Sequence, residues 1–311
     1  MDPPEPDDAD RDDAGSTVTW RELAGEAAST LAAAGCGSPE VDARWIAEQA
    51  SGSEGAAFLL AREEPATARG VAAFDAMVAR RAAGEPLQYV LGRWGFRDLD
   101  LFVDQRVLIP RPETETVVDH ALAELDRATA DWATAGREAT VIDLGTGSGA
   151  IALAVATERV RSRVWAVDAS PGAVAVARAN LTGVGRAAAR VRIVEGSWFA
   201  PLPERLRGVV DLVVANPPYV ASSDKLPAVV ADWEPMGALV AGPRGLEAFE
   251  LIVAEAPGWL APGGALVVEI GATQGAGAAK LARQAGFTRV EVHADLAGRP
   301  RTLVAGLVSR R

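Results

Sequence analysis

The chain has 311 residues, with 31 basic and 42 acidic side chains and a formal charge of −11. The single cysteine, Cys36, excludes an internal disulfide framework, and no apolar run approaches the roughly 18 residues of a membrane span. The N-terminus carries no basic-then-apolar signal, so a cytoplasmic protein is expected. The acidic balance argues against wrapping nucleic acid through overall charge.

Residues 1–15 hold seven acids, one arginine and no large apolar residue after Met1, which predicts a disordered acidic tail. From Thr17, Trp20, Leu23, Ala27 and Leu31 recur at helical steps. Ser38-Pro39-Glu40 opens a second helix carrying Val41, Trp45 and Ile46, with Ser38 as N-cap. A short apolar piece at Phe58-Leu59-Leu60 follows, and a last helix places Val71, Phe74, Met77 and Val78 on one face before Gly84. These predict a small helical domain over 16–85. Trp94, Phe96, Leu101 and Val103 around Arg97-Asp98 predict a β-hairpin within a linker over 86–110.

Over 111–311 a helix at 113–128 precedes alternating strands and helices. Strands are predicted at 141–144, 164–167, 191–194, 210–215, 265–270, 289–293 and 303–307, and helices at 151–158, 171–181, 246–260 and 275–285. Short β-branched strands separated by helices define an α/β layer with a mostly parallel sheet, ending in an antiparallel pair.

The first of these strands runs into Asp143-Leu144-Gly145-Thr146-Gly147-Ser148-Gly149-Ala150. Alternating glycines let the backbone turn sharply and approach a ligand at the carboxyl edge of a sheet. Asp168 ends the next strand, where a carboxylate accepts hydrogen bonds from ribose hydroxyls. Gly145-x-Gly147-x-x-Ala150 also satisfies a relaxed dinucleotide fingerprint, which leaves NAD open. Asp143 would repel a pyrophosphate and so favours a cationic adenosine cofactor, S-adenosylmethionine.

The strand at 210–215 ends in Asn216-Pro217-Pro218-Tyr219. The prolines stiffen the turn. The Asn216 side-chain oxygen and the Pro217 backbone carbonyl are two fixed acceptors for the two hydrogens of a planar NH2, with Tyr219 able to cover its face. Such acceptors orient the nitrogen and stabilise charge developing on it, which is methyl-transfer chemistry. An Asn-Pro pair that merely marks a turn is the bland alternative.

With these motifs the sequence resembles the protein-(glutamine-N5) methyltransferases of peptide chain release factors, the PrmC/HemK family. The resemblance runs from about Trp20 to Arg310. It also rests on Pro86-Leu87-Gln88-Tyr89-Val90-Leu91-Gly92, Leu108-Ile109-Pro110-Arg111-Pro112-Glu113-Thr114-Glu115, Ser197-Trp198-Phe199, Glu269-Ile270-Gly271 and Gly298-Arg299-Pro300-Arg301. It implies a seven-stranded Rossmann-like class I methyltransferase sheet, a small N-terminal helical domain that helps grip the protein substrate, and a β-hairpin linker. The substrate it implies is the glutamine of the Gly-Gly-Gln motif in release factors. Residue by residue, it implies that Gly145, Thr146, Gly147, Ser148, Gly149, Asp168, Trp198 and Asn216 contact S-adenosylmethionine. Asn216, Pro217, Pro218 and Tyr219 would hold the glutamine amide, and Arg111, Pro112 and Glu113 would lie near the cofactor.

One departure stands out: the family has an acid directly before the tryptophan, where this chain has Ser197. A serine accepts a hydrogen bond without a carboxylate's charge, and Glu195 should point to the opposite strand face, so weaker cofactor affinity is expected. His120 and His293 are distant in sequence, and no metal site is expected. A monomer is expected, with no membrane or nucleic-acid partner. The competing assignments are a glutamine methyltransferase of a ribosomal protein, a nucleic-acid adenine-N6 methyltransferase, a catalytically idle cofactor-binding protein and an NAD oxidoreductase.

Overall fold

The computed structural model describes residues 18–129 and 137–308; the predicted acidic tail lies outside the described residues. The chain divides into two compact units, the first ending at Gly92 and the second beginning at Arg93.

The first unit is helical. α1 (Trp20–Ala33) opens on a capping box: Thr19 Oγ1 accepts from the Glu22 N–H while the Glu22 carboxylate accepts from the Thr19 N–H. It buries Trp20, Leu23, Ala27 and Leu31, the predicted stripe. α2 (Pro39–Ser51) follows Ser38, whose hydroxyl makes no capping hydrogen bond. Its buried face is Asp42, Ala43, Ile46 and Ala47, so of the three apolar residues named from the sequence only Ile46 is buried, and Val41 and Trp45 are exposed. The buried Asp42 is paired with Arg81 at 2.7 Å, which is what lets a carboxylate sit there.

α3 (Gly55–Ala61), α4 (Ala68–Ala82) and α5 (Leu87–Leu91) complete the unit. A Cβ on Gly70 would lie 2.8 Å from the Trp20 ring, so α4 passes α1 at a distance only glycine permits. Helical periodicity ends near Gly84, but α5 buries Leu87, Val90 and Leu91 in the same core. The helical unit therefore ends at Gly92, and the hairpin belongs wholly to the second unit.

In that unit β1 (Arg93–Phe96) and β2 (Leu99–Phe102) pair antiparallel around Arg97-Asp98. Arg97 adopts φ 52°, and its guanidinium is held by Glu158 and Asp119. α6 (Pro112–Thr129) leads into the main sheet. Its strands are β3 (Ala139–Leu144), β4 (Ser162–Asp168), β5 (Val191–Glu195), β6 (Val210–Ala215), and, after an excursion, β9 (Leu260–Glu269), β10 (Arg289–Ala294) and β11 (Pro300–Gly306). The excursion contains β7 (Val220–Ala221), α9 (Ala228–Trp233) and β8 (Val240–Gly242), with β7 and β8 forming a small ribbon of their own. α7 (Ala150–Glu158), α8 (Pro171–Gly183), α10 (Glu247–Trp259) and α11 (Gly275–Gln284) connect the sheet strands.

The sheet order is β10-β11-β9-β6-β3-β4-β5, and only β11 runs against the others. β3, β6 and the inner part of β9 are buried nearly throughout, as a sheet covered on both faces requires. The chain leaves β3 toward β4 and β5, then returns to place β6 on the other side. The carboxyl ends of β3, β4 and β6 therefore flank a topological switch point, where open α/β sheets bind ligands. No helix among the described residues is long and apolar enough to cross a membrane.

Candidate active site

At that edge lies a cavity of about 550 Å³. Its glycine-rich wall is pinned to β4: the Gly145 and Thr146 N–H groups donate to the Val167 carbonyl at 2.8 and 2.9 Å. The Gly147 N–H donates to Asp168 Oδ2 at 2.8 Å. Gly145, Gly147 and Gly149 all have positive φ, the conformation that requires glycine in this turn. Asn180 of α8 adds a brace, donating to the Ser148 carbonyl at 2.8 Å and exchanging two hydrogen bonds with the backbone of Phe102.

Asp143 does not line the cavity. It is wholly buried beneath the loop, where Oδ2 accepts from the Thr146 hydroxyl at 2.6 Å and from the Ala152 N–H at 3.1 Å. Oδ1 has no partner within the protein, and desolvation pushes the carboxyl up to about 7.

Of the residues singled out from sequence, Gly145, Thr146, Gly147, Ser148, Asp168, Trp198, Asn216 and Pro218 line this cavity together, with Ser197 beside Trp198. Gly149, Pro217 and Tyr219 do not line it. Gly149 caps α7 from behind, where an added Cβ would meet Leu153 at 3.2 Å. Glu195 is exposed and outside the lining, as its strand parity requires. Arg106, Leu108 and the segment with Pro235, Gly237 and Ala238 also line the cavity, though no sequence motif marked the latter. That segment is held by Glu234, whose nearly buried carboxylate pairs with Arg111 and accepts from the Ile109 N–H. Arg111 thus acts beside the cavity through Glu234.

The Asn-Pro-Pro-Tyr turn leaves β6 at the same edge. Asn216 Nδ2 donates to Thr114 Oγ1 at 3.1 Å, and the Thr114 hydroxyl donates to Glu269 Oε2 at 2.7 Å. Gln274 fixes the backbone of the turn by donating to the Tyr219 and Gly245 carbonyls, each at 2.9 Å. The Tyr219 ring lies 5.7 Å from the Arg301 guanidinium, and burial pushes its phenol up to about 12. In the sequence Glu269 and Thr114 stood only within motifs of the family resemblance, with no role marked for either, and Gln274 gave no signal.

The two histidines meet in space, with rings stacked 4.2 Å apart, but no group of three or more potential ligands converges on a metal among the described residues.

A covered parallel sheet bearing a glycine turn, a strand-end acid and this rigid turn at its switch point defines a methyltransferase, and the comparisons agree. Residues 121–233 match the Methyltransferase small domain and residues 22–92 the PrmC N-terminal domain. The catalytic domain of hMettl16, solved with the MAT2A 3′UTR hairpin 6, shares the fold: TM-score 0.51, 16% identity, 76% of this chain and 82% of that one. Closer relatives are release factor glutamine methyltransferases. That of Moorella thermoacetica is 41% identical over 93% of this chain and 98% of its own length. That of Mycolicibacterium smegmatis is 39% identical over 91% and 96%. The chain belongs to the release factor glutamine methyltransferase family.

Proposed function

We propose that this chain transfers a methyl group from S-adenosylmethionine to N5 of the glutamine in the Gly-Gly-Gln motif of peptide chain release factors, in the cytoplasm. The observation that carries the proposal is the Asn216 amide, whose nitrogen is committed to Thr114 and whose oxygen is left as an acceptor beside the cavity. The names of the relatives, which specify release factors and glutamine, support the substrate.

The residues present fit the cofactor. The cavity lies within the usual range of about 300–1,000 Å³ for small-molecule sites. A Cβ on Gly147 would meet nothing within 4 Å, so the loop leaves open room where a ligand backs onto it. Asp168 accepts one backbone N–H on each carboxylate oxygen and keeps lone pairs for ribose hydroxyls. Gly145, Thr146, Gly147 and Ser148 would cradle the group, and Ser197, Trp198 and the apolar side chains of Leu108 and Ile151 would bound its adenine. Gly149 would support the cradle from beneath.

Bound there, S-adenosylmethionine supplies an electrophilic methyl group. The protein's part is to deliver the nucleophile. Asn216 Oδ1 and the Pro217 carbonyl take the two N–H groups of the glutamine amide, and Pro218 and Tyr219 hold its planar face. An amide lone pair is delocalised, so alignment supplies most of the acceleration, and the same acceptors stabilise positive charge growing on nitrogen. Alkylation makes that nitrogen acidic, and its surplus proton leaves through the acceptors to water without a strong base.

Labelled S-adenosylmethionine incubated with a release factor should mark the parent substrate but not its Gly-Gly-Gln Gln→Ala variant. Asn216→Ala should still bind cofactor while losing turnover by about two orders of magnitude or more. Label retained on the Gln→Ala substrate, or found only on DNA, would overturn the proposal; near-parental turnover of Asn216→Ala would overturn the acceptor role.

A further inference from the structure

An asparagine amide has two orientations of nearly equal shape and opposite hydrogen-bonding sense. If Asn216 turned its nitrogen toward the glutamine NH2, two donors would face each other and the substrate would be repelled from its alignment. Something must choose between the two orientations, and the choice lies outside the Asn-Pro-Pro-Tyr turn.

Thr114 of α6 and Glu269 at the end of β9 are 4% and 2% exposed, so water does not compete freely for their hydrogen bonds. Thr114 has one hydroxyl proton, and it goes to Glu269 Oε2 at 2.7 Å. Toward Asn216 its oxygen can then act only as an acceptor, so the atom 3.1 Å away must be Nδ2. The polarity of the chain runs from the carboxylate through the hydroxyl to the amide.

Resting on the amide-acceptor reading of Asn216 above, we propose that Thr114 and Glu269 are positioning residues that lock the Asn216 amide with Oδ1 toward the substrate nitrogen. Protonation of Glu269 would reverse the chain. Its O–H could donate to Thr114 Oγ1, the Thr114 proton would turn to Asn216, and Oδ1 would be drawn away from the cavity.

Glu269 is surrounded by Glu113 on α6, Arg301 on β11 and the Tyr219 hydroxyl after β6; Arg301 is shared with Asp295 at 3.6 Å. Arg301, Thr114 and Tyr219 favour the ionised carboxylate, whereas desolvation and Glu113 oppose it. Desolvation dominates and brings Glu269 to about 7. Turnover should therefore rise with pH across neutrality as the acceptor form fills.

The test compares kcat and KM for the release-factor substrate across pH in the full-length parent, Thr114→Val, Thr114→Ser and Glu269→Gln. Thr114→Val should lose about a hundredfold in kcat, the scale set by misalignment of a reacting group, with a smaller change in substrate KM. Thr114→Ser, which keeps the hydroxyl, should restore most of that loss. Glu269→Gln is nearly isosteric and carries the test if Thr114→Val does not fold; it should lower kcat and abolish the acidic limb near neutrality. Parental kcat in Thr114→Val, a Thr114→Ser variant as impaired as Thr114→Val, or an acidic limb unchanged in Glu269→Gln would each overturn the assignment. No transfer by the parent to the release-factor glutamine would instead overturn the proposed function, and this assignment with it.

Discussion

Trp198 has a φ of 45°, a conformation a bulky side chain adopts only under constraint. It lies two residues after Gly196, which has a φ of 152° and has no room for a side chain, since an added Cβ would lie 2.7 Å from Pro201. The strain aims the indole at the cavity, with its ring 3.8 Å from where a Gly145 Cβ would be. Ser197 sits exposed at the same turn and lines the same cavity. Placing a carboxylate there should strengthen a hydrogen bond to the adenine amino group, because charged acceptors bind about twice as strongly as neutral ones. Calorimetry of S-adenosylmethionine binding should accordingly show tighter binding by Ser197→Asp than by the parent; unchanged affinity would remove Ser197 from the adenine contact. Gly145, Asp168 and Asn216, which line the cavity, were legible in the sequence because they are short polar or glycine interruptions at strand ends. Thr114 stood in the sequence only within the Leu108–Glu115 motif, where its hydrogen bond to a carboxylate 155 positions away could not be read.

The glycine loop joins β3 to α7 with no side-chain cap, since Gly149 occupies the N-cap position at φ 87°. An alanine there would take a left-handed conformation, costing about 1–2 kcal/mol, and would press on Leu153. Gly149→Ala should therefore lower the unfolding free energy by at least about that amount in denaturant titration. A neutral or stabilising result would mean that the loop relaxes freely. The helices and sheet strands of the second unit fell near their predicted places because each carries its own apolar period and its own terminators. The ribbon of β7, α9 and β8 did not. Its strands are two and three residues long, α9 buries no side chain, and Glu234 holds the segment through Arg111 and the Ile109 backbone. No local period announces an element that is held by a partner more than a hundred positions distant. α2 was expected as a helix, but which side faces inward follows from the Asp42–Arg81 pair and the neighbouring helices.

Across the whole molecule, burial of acids beneath the sheet edge ties stability to pH. Asp143 and Glu269 both stand near 7 in the folded protein, well above their ordinary values of 3.8 and 4.5. The native state thus holds protons that the unfolded chain has released, and these groups contribute stability that is present below about pH 4 and lost as pH rises through about 7. Replacing Asp143 by Asn should flatten the fall in unfolding free energy between those limits, measured by denaturant titration at each pH. An unchanged slope would show that Asp143 is already ionised in the native state. The formal charge of −11 bears less on residues 16–311 than it first suggests, since residues 1–15 alone supply seven acids against one arginine. By itself the sequence determined the two-part organisation, the mostly parallel sheet and the two motifs that meet at the cavity, because each depends on local periodicity or on neighbours within a few positions. Only the tertiary structure decided that the helical unit runs on to Gly92, that Asp143 and Gly149 lie beneath the loop instead of in the cavity, and that the histidines stack. It also decided that Thr114, on the cavity wall, and Glu269 behind it stand next to Asn216. Those facts depend on which distant strand ends the sheet order brings side by side, and hydrogen-bond polarity has no meaning until the partners are in place.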